Sequence, residues 1–261
     1  MVLTAAVENL TAVLSSGKGD SQAQQLELLH EIELQVRIGP VEELKATQDA
    51  LEKQLTAALL QGPAPPLRHL ISSIFVWAYG RGVRQGMYNT VGLMLSWMSN
   101  KSSPASSVAS KAAILTLLGE LSHSHGPAMV ALCHDSIGLL TKSIRAPEIP
   151  LRITACTALA SALNGSGGIP AAIQQEALKN VKHVIAERGA PPELRAVCVS
   201  CCVSLITYSE ALWSSDMVEQ VRGACFLFSR VHCPFGSLTE VPAYDLLTGR
   251  AGRDVVYQAL G

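Results

Sequence analysis

The chain has 261 residues, of which 48% are hydrophobic and only 16% charged, against ~25% charged in an average domain. That composition excludes a disordered chain, which combines low hydrophobicity with high charge. With 20 Lys and Arg against 21 Asp and Glu, the net charge is -1, so no basic surplus exists to neutralise phosphates and nucleic acid is not an expected partner.

The charge is uneven. Residues 1–62 carry nine acids and four bases, and residues 63–261 carry twelve acids and sixteen bases. The plain reading is solvated helix faces. Gly, Pro and Ser punctuate segments of helical length. Val2–Leu14 stops at Ser15-Ser16-Gly17, and Asp20 is a suitable N-cap for Ser21–Ile38, which stops at Gly39-Pro40. In Val41–Leu60 the residues Leu44, Leu51, Leu55 and Leu59 line one helical face, too short to call a coiled-coil seam and suited to packing against the first repeat. Gln61-Gly62-Pro63-Ala64-Pro65-Pro66 ends that helix.

The spacing then predicts helices over Leu67–Tyr79 (broken at Gly80-Arg81-Gly82), Gln85–Met98, Pro104–His123 and Ala128–Ile144. Further helices are predicted over Pro150–Leu163, Pro170–Arg188, Pro192–Tyr208 and Asp216–Val231. Strand-like alternation with hairpin dipeptides is absent. The apolar stretches Leu70–Tyr79 and Met87–Met98 are each shorter than the ~20 residues a bilayer requires, so no integral membrane insertion is expected.

A basic residue recurs at the opening of successive apolar helices: Arg68, Lys111, Arg152 and Arg195, at spacings of 43, 41 and 43. A period of ~40–47 residues with two helices per unit marks HEAT or armadillo repeats, in which a helical pair that cannot bury its own apolar face stacks on its neighbours. The expected fold is therefore all-α, a HEAT/armadillo-like α-solenoid of stacked antiparallel helix pairs. Each recurring base is expected near the turn within its pair, where it can bond carbonyls or acids of the adjacent unit. Val221-Arg222-Gly223-Ala224 follows Arg195 by only 27 residues, so the period fails there. The expected organisation is acidic amphipathic helices over 1–62, a repeat array over 63–232 and an irregular tail over 233–261. A stack without a polar final unit is expected to continue into further repeats.

Motifs for chemistry are sparse. The seven cysteines (133, 156, 198, 201, 202, 225 and 233) sit mostly in apolar helical patterns. The opening Met1–Ala6 soon reaches Glu8 and lacks a basic leader, so free, buried thiols in a reducing compartment are expected. Cys198-x-x-Cys201 with Cys202 is half a zinc pattern without a matching second pair. His123-x-His125 lies at a helix end, where imidazoles meet carbonyls, and Cys133-His134 lies nearby. His134-Asp135 are adjacent on a helix and point apart. Asn164-Gly165-Ser166-Gly167-Gly168 and Gly80-x-Gly82 lack the strand and the Lys-Ser/Thr of a phosphate loop. No metal, cofactor or catalytic residue is expected. Trp77, Tyr79, Tyr88 and Trp97 cluster in the first clear repeat, as packing residues or as a partner-binding hot spot. An armadillo carrier would repeat a Trp at one position of each unit, and Trp77, Trp97 and Trp213 do not.

The run Gly62-Pro63-Ala64-Pro65-Pro66-Leu67-Arg68-His69-Leu70 resembles the entry to the first repeats of the HEAT repeat-containing protein 5 family. Ile137–Ile144, Leu159–Gly168, Lys179-Asn180-Val181-Lys182 and Leu194–Cys198 come after it in the same order, so the likeness covers about residues 40–208 and that family's amino-terminal region. The chain is far shorter than those proteins, and the pattern is lost beyond residue 208. The resemblance implies a non-catalytic scaffold that associates with the heterotetrameric clathrin adaptor, in vesicle traffic between the trans-Golgi network and endosomes. It further implies a cytoplasmic protein, peripheral on those membranes. No binding residue carries over, since no short motif of the family places one here.

Overall fold

The computed structural model describes residues 2–15, 21–100, 103–165 and 170–207. Asp20, the helix expected over Asp216–Val231, Trp213, Cys225, Cys233 and the tail over 233–261 lie outside the described residues. The described residues form α1 (Val2–Ser15), α2 (Ser21–Ile38), α3 (Val41–Leu60), α4 (Pro65–Arg81) and α5 (Gln85–Ser99). After these come α6 (Val108–His125), α7 (Val130–Ser143), α8 (Ile149–Gly165), α9 (Ala171–Ala186) and α10 (Pro192–Thr207). A 3-10 turn at Gly126–Ala128 precedes α7, and no strand occurs among the described residues. The chain is all-α, and among these residues no helix is long and apolar enough to cross a membrane.

Local chemistry explains most boundaries. Pro65 and Pro66 occupy the first turn of α4, where a missing N–H costs nothing. Gly62 turns the chain between α3 and α4 at φ +70, and a Cβ there would meet the Ala109 Cβ at 2.7 Å. Most helix ends fall within two residues of expectation, and two of the differences have a clear physical cause. The helix expected from Pro104 starts at Val108, because the Ser107 hydroxyl accepts the Ser110 N–H (2.9 Å) and caps it. The helix expected to break at Gly80 runs on to Arg81, whose guanidinium donates to the carbonyls of Val36 and Gly39 at the end of α2. The turn after α4 is then held by buried Gln48. Its amide accepts from Val83 N–H (2.7 Å) and donates to the Val83 carbonyl (2.8 Å).

Helices α2, α4, α6, α8 and α10 pack each on the next and form one row. A second row is looser: α1 packs on α3, and α5, α7 and α9 follow one another. One apolar core runs through both rows from Leu3 to Leu205 and includes Leu44, Leu51, Leu55 and Leu59 of α3. Small residues explain the tighter row. A Cβ on Gly119 of α6 would lie 2.8 Å from the Ala158 Cα of α8, so these two backbones nearly touch. Helix α6 is consequently enclosed: Ala112 through Gly119 are all buried. In the looser row, a groove of about 550 Å³ opens between α3 and α5 along Glu52, Lys53, Asn89 and Leu93. Another of about 840 Å³ crosses α5, α7 and α9 along Met98, His134, Leu139 and Ile173.

Candidate functional site

The recurring bases mark one line along the tight row, because each lies near the start of α4, α6, α8 or α10. Two of them perform the same task. Arg152 donates from Nε to the Ile144 carbonyl (3.1 Å), and Arg195 donates from a terminal nitrogen to the Glu187 carbonyl (2.9 Å). Each carbonyl stands eight residues before its arginine, at the end of the preceding helix, where backbone acceptors lack intrahelical partners. Arg195 also reaches the Arg188 carbonyl (3.3 Å).

Arg152 additionally makes a two-pronged ion pair with the Glu187 carboxylate, one prong at 3.4 Å. The Arg152 guanidinium holds the Glu187 carboxyl below the usual carboxylate range, and the same bond raises Arg152. Glu187 therefore ties α8 to α10: its carboxylate serves Arg152 and its carbonyl serves Arg195.

The other two bases differ. Lys111 is half-buried, and its side chain has no hydrogen-bond or ion-pair partner among the described residues. The Arg68 side chain also donates no hydrogen bond among the described residues; its Nε, like that of Arg195, is buried without a partner among them. Burial alone pushes its guanidinium below the usual arginine range. Arg68 faces a cavity of about 100 Å³ where α4, α6 and α8 meet. His69 shares the α4 wall, Thr116 and Glu120 form the α6 wall, and Ile153, Thr154 and Thr157 close the α8 side. The three threonine hydroxyls donate to carbonyls of their own helices: Thr116 to Ala112 (3.0 Å), Thr154 to Pro150 (2.9 Å) and Thr157 to Ile153 (3.0 Å). Among these side chains the donors left over are those of Arg68 and His69.

The four aromatics do not act as one cluster. Tyr79 is 0% exposed; it stacks on Phe75 (centroids 5.8 Å) and donates its hydroxyl to Thr90 Oγ1 (2.8 Å). It is a core residue and offers nothing to a partner. Trp97 is partly buried against the same core. Trp77 is 37% exposed on α4, with the Arg37 guanidinium of α2 5.2 Å from its ring centroid, and exposed Leu34 and Ile38 share that side of α2 by helical spacing. Tyr88 is 38% exposed and donates to the Ala128 carbonyl (2.6 Å) before α7.

The histidines at the end of α6 reach both neighbours in the tight row. A nitrogen of His125 lies 3.0 Å from the Val76 carbonyl of α4, and one of His123 lies 3.1 Å from the Ser161 carbonyl of α8. The groove beside His134 includes neither His123 nor Cys133, so these residues do not share a pocket. Cys156, Cys198, Cys201 and Cys202 are buried between α8 and α10 or within α10, and no group of three or more metal-ligating side chains gathers among the described residues. Arg81 is a structural anchor between α2 and α4 that sequence reasoning missed. It lay beside two glycines read as a break, and only its partners on α2 reveal it.

No protein-family model matches the chain. No solved structure matches it.

Proposed function

We propose that the chain is a HEAT-type α-solenoid segment acting as a non-catalytic scaffold for protein partners. The observation that carries this reading is the shared eight-residue bond of Arg152 and Arg195 to the end of the preceding helix, at positions 43 residues apart. One contact recurring at one step is what stacked copies of a single helical unit produce. A tight row beside a looser one bends such a stack toward the tight side. The inner face is then the line of α2, α4, α8 and α10, with α6 sunk between its neighbours over Ala112–Gly119, and it carries Trp77 and the Arg68 cavity. Extended segments of partner proteins suit a face of this kind.

The cellular setting is inferred from the resemblance of residues 40–208 to the HEAT repeat-containing protein 5 family. The chain acts at the cytoplasmic side of trans-Golgi or endosomal membranes, with clathrin adaptor subunits as partners. Affinity capture of the tagged chain, read by quantitative mass spectrometry, tests this. Enrichment of adaptor subunits over a tag control is expected. Consistent absence of coat and tethering proteins would overturn the traffic assignment, and enrichment of another multi-subunit assembly would move the scaffold there.

A further inference from the structure

We propose that Ser103 is a phosphorylation site, the acceptor of a proline-directed protein kinase, and that the half-buried Lys111 is the counter-charge its phosphoryl group takes. The proposal goes beyond the scaffold reading and depends on no particular partner. It gives the turn before α6 a negative charge of the kind that the turn before α10 carries permanently in Glu187.

The repeat supplies the geometry. Lys111, Arg152 and Arg195 are each the fourth residue of their helices, α6, α8 and α10. Each donates its backbone N–H to the carbonyl four residues earlier, at 3.1 Å in all three, so the three helices start in one register. A helical side chain leans toward the N-terminus of its own helix. Arg152 and Arg195 accordingly reach back to the residue eight positions earlier, Ile144 and Glu187. For Lys111 that residue is Ser103. Lys111 differs in finding nothing to take: its half-buried side chain has no partner among the described residues. The turns before α8 and α10 contain Glu148 and Glu187, whereas residues 100–107, before α6, contain four serines and no acid.

Among the described serines of that turn, Ser103 is the one that suits a kinase. Ser107 is committed as the cap of α6: its hydroxyl accepts the Ser110 N–H and donates to the Ser110 hydroxyl, both at 2.9 Å. The Ser103 hydroxyl accepts the Ala105 N–H (3.0 Å) and donates to nothing among the described residues. Exposed Pro104 follows it, and Ser103-Pro104 is the single Ser-Pro or Thr-Pro step in the chain. Proline holds the residue before it out of the helical region, and it brings no N–H that a substrate groove must satisfy. In the transfer, Ser103 Oγ bonds the γ-phosphorus of magnesium-ATP and the bond from that phosphorus to the β–γ bridging oxygen breaks. ADP leaves, and the hydroxyl proton passes to the kinase's aspartate. The product adds a charge of about −1.5 to −2 and three acceptor oxygens. They stand before α6 where Glu187 stands before α10, eight residues ahead of the base.

The test incubates the full chain with a mitogen-activated protein kinase and magnesium-ATP and locates phosphate by peptide mass spectrometry. Modification of Ser103 is expected, and none in S103A. Phosphorus NMR then separates pairing from modification alone. The phosphoserine of the wild-type chain should titrate at a pH about 0.5 below that of K111M, because the ammonium favours the dianion. K111R should behave as wild type. A synthetic peptide of residues 99–108 phosphorylated at Ser103 lacks Lys111 and should also titrate above the folded chain, so the question stays answerable if K111M folds poorly. Absence of phosphate at Ser103, or its transfer to Ser106 or Ser107 instead, would overturn the proposal. So would equal titration of the folded wild-type chain and the peptide, or of wild type and folded K111M. None of these outcomes depends on which partner the scaffold takes, and failure to capture adaptor subunits leaves the proposal standing.

Discussion

Cys156 of α8 and Cys198 of α10 face each other with their sulfurs 3.4 Å apart and no exposed surface. The hydrogen bond shared with Cys198, and then burial, hold the Cys156 thiol well above the usual range; burial and the neighbouring Cys202 and Cys198 do the same to Cys201. The thiolate is the reactive form. Iodoacetamide at neutral pH is therefore expected to spare Cys156 and Cys201 in the native chain and to label both in urea, as read by peptide mass spectrometry. Native labelling of Cys156 faster than global unfolding would contradict the buried contact.

The same thiols set an alkaline limit. Their folded pKa lies above the unfolded value of ~8.5, so their contribution to stability is complete below that pH. It is lost as the pH rises from there toward the folded value, because the unfolded chain ionises first. The urea midpoint should fall between pH 8 and pH 10, and C156A should fall less steeply. Equal slopes for the two chains would remove this account.

Arg152 links three pieces of chain. R152M deletes the bond to the Ile144 carbonyl together with the Glu187 pair, and a loss of about 2 kcal/mol is expected from urea denaturation. E187Q should cost less, since the Glu187 carboxylate is partly exposed and its carbonyl still serves Arg195. Glu187 is held below its unfolded pKa. Its contribution is present above that pKa, ~4.3, and is lost as the pH falls through the folded value. The stability difference between wild type and E187Q should therefore shrink between pH 5 and pH 3.

Gly119 permits the closest approach of α6 and α8. In G119A the new methyl group would meet the Ala158 backbone at 2.8 Å, and the helices must separate. Overpacking of this kind costs ~1–3 kcal/mol, which outweighs the ~1 kcal/mol that Ala gains over Gly in helix propensity. A lower melting temperature is expected. A158G should not restore it, because the Ala158 Cα and carbonyl oxygen lie as close as its Cβ. An unchanged melting temperature in G119A would show that the two helices are not in backbone contact.

Trp77 and Tyr79 should separate function from stability. Y79F leaves Thr90 without its hydroxyl partner in a buried site, and a loss of about 1 kcal/mol is expected without any change in captured partners. W77A removes a ring that is 37% exposed and carries the Arg37 contact; it should cost about 1 kcal/mol, as Y79F does, but unlike Y79F it should also lower partner recovery. The reverse pattern would move the interaction surface away from α4.

The helices and their order were legible in the sequence because the rules that make them are local. Proline in a first turn, glycine beyond a last one and apolar residues at helical spacing act within a few residues of each other. The recurrence of Arg68, Lys111, Arg152 and Arg195 was legible for the same reason, since repeated packing needs repeated residues. Their roles were not. Arg152 and Arg68 hold equivalent places, yet one is paired and the other faces a cavity, because Glu187 stands 35 residues beyond the first and Ser103 beyond the second. Tyr79 and Trp77 are two residues apart, yet one is sealed in the core and the other lies against Arg37, because two steps along a helix turn a side chain to the opposite side. Only tertiary packing decided these assignments: burial and pairing are set by whichever distant segment arrives, and no local pattern encodes that.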